Sequence, residues 1–238
     1  MLRERNGTHR LILPTMIQAK TFGGLRALRR ELKTILSKDW KEALETLYSI
    51  SPPKALISPL RSLFLDKNQL IRWRSISAFG HTVSRIVDQD MEQARIIIRQ
   101  LMWTLNDESG GIGWGSPEAM GECMALSEGL CREYGRILLS YIREDGNYLE
   151  YPELRIGALW GIMRATMKNP HVMKAYSTSK YLSPYLREKD PTALGIALLT
   201  LRYLGEDSSA KQISRTLGYP KGLRVRIYLD GYFKEIML

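Results

Sequence analysis

A short motif that recurs at a fixed spacing is the feature that most restricts what this chain can fold into. Residues 71–80 read IRWRSISAFG and residues 112–121 read IGWGSPEAMG, so five positions coincide after a shift of 41 residues. An aspartate lies five residues before each copy, at Asp66 and at Asp107. A weaker third copy begins at Leu154, and a fourth, weaker still, begins 39 residues after that. Helical-hairpin repeats and propeller blades both have periods of about 40 residues.

The hydrophobic spacing ahead of the motif copies distinguishes these two architectures. Apolar residues recur there at helical steps, namely Ala94, Ile97, Ile98, Leu101, Met102 and Leu105, then Ile137, Leu138, Tyr141 and Ile142. Strand-like alternation is absent from both segments. Each unit is therefore predicted to be a helix, a turn and a second helix that begins at or just before the motif. Small motif residues such as Gly80 and Gly121 let neighbouring units pack closely, so the sequence predicts an all-α fold, an α-α superhelix.

These features resemble a known class of repeat. An aspartate followed by the pattern Ile/Val-Arg-x-x-Ala/Ser-x-x-Ala-x-Gly, as in residues 66–80, resembles the HEAT-like repeats found in phycobilin-lyase-type proteins, and the match covers residues 53–205. The long turn over residues 106–117 is similar to one in uncharacterised HEAT-repeat proteins of anaerobic bacteria. The resemblance implies a stacked superhelix with a binding role and no particular chemistry. The second unit departs from the pattern at Gly113, where the repeats have arginine.

The two ends of the chain differ from the repeats. Within one continuous domain we expect a basic N-terminal helical cap over 1–52, the repeat array over 53–206 and a C-terminal cap over 207–238. The last segment is predicted to contain a helix over 208–217 and then a small β-hairpin, because Asp230–Gly231 lies between alternating strand formers. An isolated hairpin is only marginally stable, so it should pack on the last helices and close the solenoid.

The distribution of charge bears on the class of partner. The net charge is +10, of which residues 1–40 contribute +6, residues 200–238 contribute +3 and residues 41–199 only +1. A basic stripe along the repeats is therefore not supported. The predicted N-terminal helix has a basic face whose candidate anion contacts are Arg26, Arg29, Arg30 and Lys33. That face could contact nucleic acid, an anionic membrane or an acidic protein, or it could be a solvated cap.

The compartment follows from cysteine usage and hydropathy. Two cysteines are too few for a disulfide framework, and no apolar run reaches the length of about 18 residues that a membrane span needs. The N-terminal segment has no apolar stretch of the kind found in signal peptides. We expect a cytoplasmic protein without a membrane span.

Tryptophans recur on one side of the motif helices. If motif positions 1, 5, 8 and 12 point into the stack, then Trp73, Trp114, Glu118 and Trp160 face the inner, usually concave side. Such a line predicts a groove for an apolar or aromatic ligand or for a peptide. The alternative is that tight curvature buries these rings as core. Glu122, one helical turn after Glu118, completes a candidate carboxylate pair, although capping or solvated glutamates are the simpler interpretation.

Other patterns exclude common chemistries. The glycines over residues 110–115 match neither a dinucleotide-binding nor a P-loop spacing, and Cys123 and Cys131 lack the spacing of a zinc site. The three histidines are scattered through the chain. Arg72 and Arg155 share a motif position that, in HEAT-like repeats, pairs with the turn aspartate of a neighbouring unit. The sequence therefore predicts no metal, no cofactor and no catalytic site.

Three functions are consistent with the sequence. The favoured one is a protein-interaction scaffold that binds a partner protein or peptide in its concave groove. The second is a nucleic-acid-binding protein resembling the HEAT-like alkylpurine DNA glycosylases, whose basic concave face carries aromatic and acidic residues. The third is a phycobilin-lyase-like chaperone that holds a tetrapyrrole or another cofactor.

Overall fold

The computed structural model describes residues 24–106, 113–206 and 224–237, so the helix predicted over 208–217 lies outside the described residues. The α-helices are α1 (Leu25–Leu36), α2 (Trp40–Ile50), α3 (Pro53–Ser62), α4 (Gln69–Val87), α5 (Met91–Leu105), α6 (Ser116–Leu126), α7 (Glu128–Ser140), α8 (Pro152–Lys168), α9 (Pro170–Ala175), α10 (Thr178–Leu182) and α11 (Pro191–Tyr203). Short 3₁₀ turns cover Leu63–Leu65 and Pro184–Arg187, and a hairpin is formed by β1 (Arg224–Leu229) and β2 (Tyr232–Met237).

The helices stack in two layers as an α-α superhelix, which confirms the predicted fold class. The motif helices α4, α6, α8 and α11 lie side by side in the inner layer, and α3, α5, α7 and the α9–α10 pair form the outer layer. Side-chain oxygens accept hydrogen bonds from backbone N–H groups at the first turn of five helices, at Asp39, Asn68, Asp90, Ser127 and Asp190. These caps satisfy backbone donors that a helix leaves unpaired, and so they fix where each helix starts.

The inner helices α6 and α8 meet backbone to backbone. A Cβ atom placed on Gly121 would lie 2.1 Å from the Cα atom of Gly161, so neither position has room for a side chain. Between α4 and α6, a Cβ atom on Gly80 would lie 2.5 Å from Cγ of Glu122. The glycines that end the first two motif copies are therefore the points of closest approach between repeats.

The second repeat differs from the others in where its inner helix begins. The sequence predicts a start at or before the motif, but α6 begins at Ser116, inside it. Gly115 has a φ of +80°, a conformation that glycine adopts without strain, and a Cβ atom there would lie 2.9 Å from Cβ of Phe64. Trp114 consequently lies in the turn before α6, whereas Trp73 lies on α4.

The hairpin forms at the predicted turn. Asp230 and Gly231 both have positive φ angles, 49° and 89°, as a two-residue type I′ turn requires. Strand β1 buries Val225, Ile227, Tyr228 and Leu229, whereas β2 is mostly exposed. The location differs from the prediction, because the hairpin is not confined to the last helices.

The hairpin runs across the inner layer from one end to the other. Val225 fills the space beside Gly195 of α11, where an added Cβ atom would lie 2.1 Å from Cγ2 of Val225. At the opposite end, the turn at Gly231 lies against the ring of Trp40 in α2. The hairpin therefore covers the inner-layer helices along the length of the stack.

Replacing Gly121 by alanine should destabilise the fold by about 2 kcal/mol or more, because the new methyl group overlaps the backbone of Gly161 and forces α6 away from α8. The measurement is the free energy of unfolding in urea. Gly129→Ala is the matched control, because its Cβ atom would meet the flexible end of Met91 at 3.3 Å and Oγ of Ser127 at an ordinary 3.8 Å. That variant should be neutral or more stable by up to about 1 kcal/mol. Equal effects of the two substitutions would contradict this account.

Candidate functional site

The hairpin seals an aromatic cluster on the inner face. The ring centroid of Trp73 lies 4.8 Å from that of Trp160 and 5.3 Å from that of Tyr228, and the rings of Trp73 and Tyr228 are nearly parallel at 21°. The Nε1–H group of Trp160 donates a hydrogen bond to the carbonyl oxygen of Tyr228 at 2.9 Å. Trp160 is only 2% exposed. The structure thus places Trp160 beneath the hairpin rather than on an open groove.

Arg164 of α8 contacts both the neighbouring helix α6 and the hairpin turn. Its Nε and Nη2 atoms donate to the carboxylate of Glu122 at 2.7 and 3.2 Å, and Nη2 also donates to Oδ1 of Asp230 at 2.8 Å. The side chains of Arg164 and Glu122 are 4% and 1% exposed. Glu122 therefore serves this buried ion pair, and it does not act with Glu118 as a pair of free carboxylates.

A second arginine ties the same turn to the N-terminal helices. Arg74 donates from Nε to the carbonyl oxygen of Gly231 at 3.0 Å, and from Nη1 to those of Leu36, at 2.8 Å, and Lys38. The hydroxyl of Tyr232 adds a hydrogen bond of 2.5 Å to Asp39. Sequence reasoning missed both arginines. Each of these arginines lies in a helical stretch that is otherwise rich in apolar residues. An arginine at such a position is rarely buried without a partner, so the pattern could have indicated a buried arginine with a partner.

A cavity of about 470 Å³ opens at the N-terminal ends of the inner helices, and we call it the Trp114 cavity. Its apolar walls include Phe64, Trp73, Ile76, Trp114 and Ile156, and its charged residues are Asp66, Arg72, Glu118 and Glu153. The structure therefore brings together three of the predicted groove residues, Trp73, Trp114 and Glu118. It leaves Trp160 and Glu122 out of this cavity.

Glu118 is the chemically unusual residue of the Trp114 cavity. Its Oε2 atom is enclosed by protein, yet it has no hydrogen-bond partner within the part of the chain that the structure describes. Its carboxyl group fits only because residue 157 is glycine, since a Cβ atom there would lie 2.6 Å from Cδ of Glu118. Burial raises the pKa of Glu118 to about 7, and its own backbone N–H group and the nearby Arg72 offset this only in part. The carboxyl group is therefore half-protonated near neutral pH.

Asp66 is the paired carboxylate of the cavity. It accepts a hydrogen bond from Nζ of Lys33 at 2.8 Å, and Nη2 of Arg29 lies 4.0 Å away. Burial opposes its ionisation, but the contacts with Lys33 and with the N–H group of Asn68 prevail and lower the pKa of Asp66. Two of the predicted anion contacts on α1 are therefore already next to a carboxylate. The other two, Arg26 and Arg30, are exposed.

The motif arginines have other contacts within the described residues. Arg155 donates to the carbonyl oxygens of Leu149 and Glu150 at 2.7 and 2.6 Å, and Asp107, one of the two turn aspartates expected as partners, lies outside the described residues. Arg72 is exposed at the cavity, and in the described part of the chain it has no ion pair. Asp66, the other turn aspartate, is instead paired with Lys33 of α1.

Exposed apolar side chains surround the mouth of the Trp114 cavity. Leu65 is 67% exposed, Tyr151 is 54% exposed and Trp114 is 37% exposed, and the rings of Trp114 and Tyr151 lie 6.4 Å apart. A second cavity of about 350 Å³ shares Phe64, Leu65 and Trp114 with the first. Trp114 therefore lies between two adjoining cavities.

The cysteines and glycines of interest lie elsewhere. Cys123 and Cys131 are buried free thiols. Within residues 24–106, 113–206 and 224–237, no three His, Cys, Asp or Glu side chains are grouped so that they could hold a metal ion. The glycine run over 110–115 lies partly outside the described residues.

None of the helices in the described ranges combines the length and apolarity needed to cross a bilayer.

Stacked helical hairpins and a recurring motif define this chain as a helical-repeat protein. No protein-family model and no curated protein matches its sequence. Among solved structures, it is similar to an engineered protein with 13% identity and a TM-score of 0.52, over 85% of this chain and 83% of that one. A designed armadillo repeat protein matches 76% of this chain and 87% of its own, with 15% identity and a TM-score of 0.41. At such low identity, the first of these similarities concerns the fold alone.

Glu118 should make stability depend on pH. Its pKa rises from an ordinary 4.5 in the unfolded chain to about 7 in the fold, so the folded state binds the extra proton between these values. Stability is therefore lost as the pH rises from about 4.5 to about 7. Glu118→Gln, which stays neutral, should exceed the wild type in stability by about 2 kcal/mol at pH 8 and by little at pH 4.5. Urea unfolding at both pH values measures the difference, and a pH-independent difference would contradict the assignment.

The buried pair of Arg164 and Glu122 should behave as a unit. Arg164→Met leaves the Glu122 carboxylate without its partner and should cost about 3 to 5 kcal/mol in unfolding free energy. The double variant Glu122→Met with Arg164→Met should be less destabilised than Arg164→Met alone, because no buried charge is left. Asp230→Asn is the control and should cost less than about 1 kcal/mol, since Asp230 is half-exposed. Additive effects in the double variant would show that the pair is not coupled.

Proposed function

We propose that this chain is a cytoplasmic HEAT-like repeat protein that binds another protein, and that the Trp114 cavity is the place where it does so. The observation that supports this is the carboxyl group of Glu118, which lines the cavity and whose buried Oε2 atom has no hydrogen-bond donor among the described residues. Buried polar atoms are nearly always paired, and an unpaired one costs about 1 to 3 kcal/mol. A bound partner that supplies a donor would remove this cost.

The rim of the cavity supports a protein partner. Leu65, Trp114 and Tyr151 expose large apolar surfaces next to a deep polar group. Clusters of aromatic side chains around a pocket are typical of the residues that carry most of the energy in protein interfaces. A helical-repeat scaffold presents such residues from several successive units, which suits an adaptor.

The hairpin weighs against the two alternative functions. A DNA duplex or a tetrapyrrole laid along the concave face would have to displace β1 from Trp73 and Trp160. That displacement also breaks the contacts of Arg74 and Arg164 with the hairpin turn. We therefore place a protein partner ahead of a nucleic acid, as in the HEAT-like DNA glycosylases, and ahead of a cofactor held as in the phycobilin lyases.

Selection from a library of random displayed peptides on the full chain tests this proposal. The wild type should enrich a consensus sequence, and Trp114→Ala should lose at least about tenfold in affinity for it, the usual loss at an aromatic anchor. Trp103→Ala is the matched control, because Trp103 is 76% exposed but does not line the cavity. The proposal fails if no consensus is enriched, or if the enriched peptides bind Trp114→Ala as well as the wild type.

A further inference from the structure

The charges of the Trp114 cavity allow its ligand to be specified further. Building on the proposed function, we propose that the cavity binds the side chain of an arginine of the partner protein, with Glu118 as the counter-ion of the guanidinium group. Three features of the cavity favour this ligand, namely the charges that line it, its aromatic walls and the unpaired carboxylate oxygen.

The charge balance favours a cation. The charged residues that line the cavity are three acidic ones, Asp66, Glu118 and Glu153, and one basic one, Arg72. Lys33 and Arg29 of α1 lie next to Asp66 and do not line the cavity. Among the residues that the structure describes, Arg72 is exposed and the Oε2 atom of Glu118 is enclosed. A ligand in the cavity therefore meets the carboxyl group of Glu118, which has an oxygen without a donor in the described part of the chain. An anionic ligand would meet Glu118 as a like charge.

The aromatic walls favour a guanidinium over other cations. Trp73 and Trp114 both line the cavity, and a planar guanidinium stacks on such rings while it donates hydrogen bonds in its own plane. This chain uses the same contact repeatedly on its surface, with Arg143 lying 4.2 Å from the ring centroid of Tyr181 and Arg85 lying 4.7 Å from that of Tyr48. In the described ranges, no cation of the chain lies over either tryptophan of the cavity.

The cavity has the dimensions for a long side chain. Its volume of about 470 Å³ is in the range of small-ligand sites. This volume is larger than a guanidinium group alone would fill. Phe64, Ile76 and Ile156 line it and can contact the aliphatic stem of the arginine. The exposed Leu65 and Tyr151 at the rim would then contact the neighbouring residues of the partner.

Binding of a cation should release the proton of Glu118. The charged groups around the cavity of Glu118 are Arg72 on α4, Asp66 before α4 with Lys33 and Arg29 of α1, and Glu153 on α8. Arginine stays charged at neutral pH, the pKa of Asp66 is lowered, and none of the described histidines lines the cavity. We therefore assign the pH dependence of binding near neutral pH to the ionisation of Glu118. The affinity should rise as the pH increases from 6 to 8, because ionised Glu118 pairs with the ligand.

The test uses calorimetry of the full chain with the capped tripeptide Gly-Arg-Gly and with its citrulline analogue, which has the same shape and no charge. The arginine peptide should bind at least about tenfold more tightly than the citrulline peptide, as expected for a charge-assisted hydrogen bond. Glu118→Gln should reduce the affinity for the arginine peptide by about tenfold and abolish its pH dependence. Arg72→Gln should instead tighten binding, because it removes the like charge.

Glu45→Gln changes an exposed glutamate that does not line the cavity, and it should leave binding unchanged. Equal affinity for the two peptides, or weaker binding by Arg72→Gln, would overturn the arginine assignment. Binding of a single-stranded oligonucleotide that depends on Trp114 and Glu118 would also overturn it. If displayed peptides are enriched through Trp114 but lack a basic residue, the protein-binding proposal stands and only the arginine assignment falls.

Discussion

The ion pair between Arg164 and Glu122 is the interaction on which the arrangement of this protein depends. It joins α8 to α6 at the level where Gly121 and Gly161 bring the two backbones into contact. A guanidinium has several donors in one plane, so the same arginine also reaches Asp230 in the hairpin turn. Because an unpaired charge at this depth is very costly, the pair fixes the hairpin over the inner face as well as the spacing of the repeats.

The position of the hairpin in turn decides which surface can act as a site. It covers Trp160 and one face of Trp73, and it leaves the Trp114 cavity open at the N-terminal ends of the inner helices. Glu118 and Glu122 lie one turn apart on α6, yet their surroundings differ completely. Glu122 is neutralised by a buried arginine, whereas the Oε2 atom of Glu118 has no partner among the described residues. The buried carboxylate oxygen without a partner therefore belongs to a residue that lines the cavity.

Much of the fold could be predicted from local patterns. The recurring motif and the helical spacing of apolar residues indicated stacked helical hairpins, and the Asp230–Gly231 pair indicated the β-turn. The site was harder to predict, because Trp73, Trp114 and Trp160 were expected on one face of the motif helices but do not line one site. The shift of the α6 start to Ser116 moves Trp114 into a turn, and no periodicity of the sequence reports this shift.

The sequence by itself determined the helices, the repeat spacing and the turn of the hairpin, because these depend on residues that are near one another along the chain. Only the tertiary structure decided where the hairpin lies and which carboxylate stays unpaired. Arg74 and Gly231 are 157 residues apart, and Arg164 and Asp230 are 66 apart. Contacts over such separations depend on the curvature of the stack and on competition among buried charges, and neither property can be obtained from local sequence.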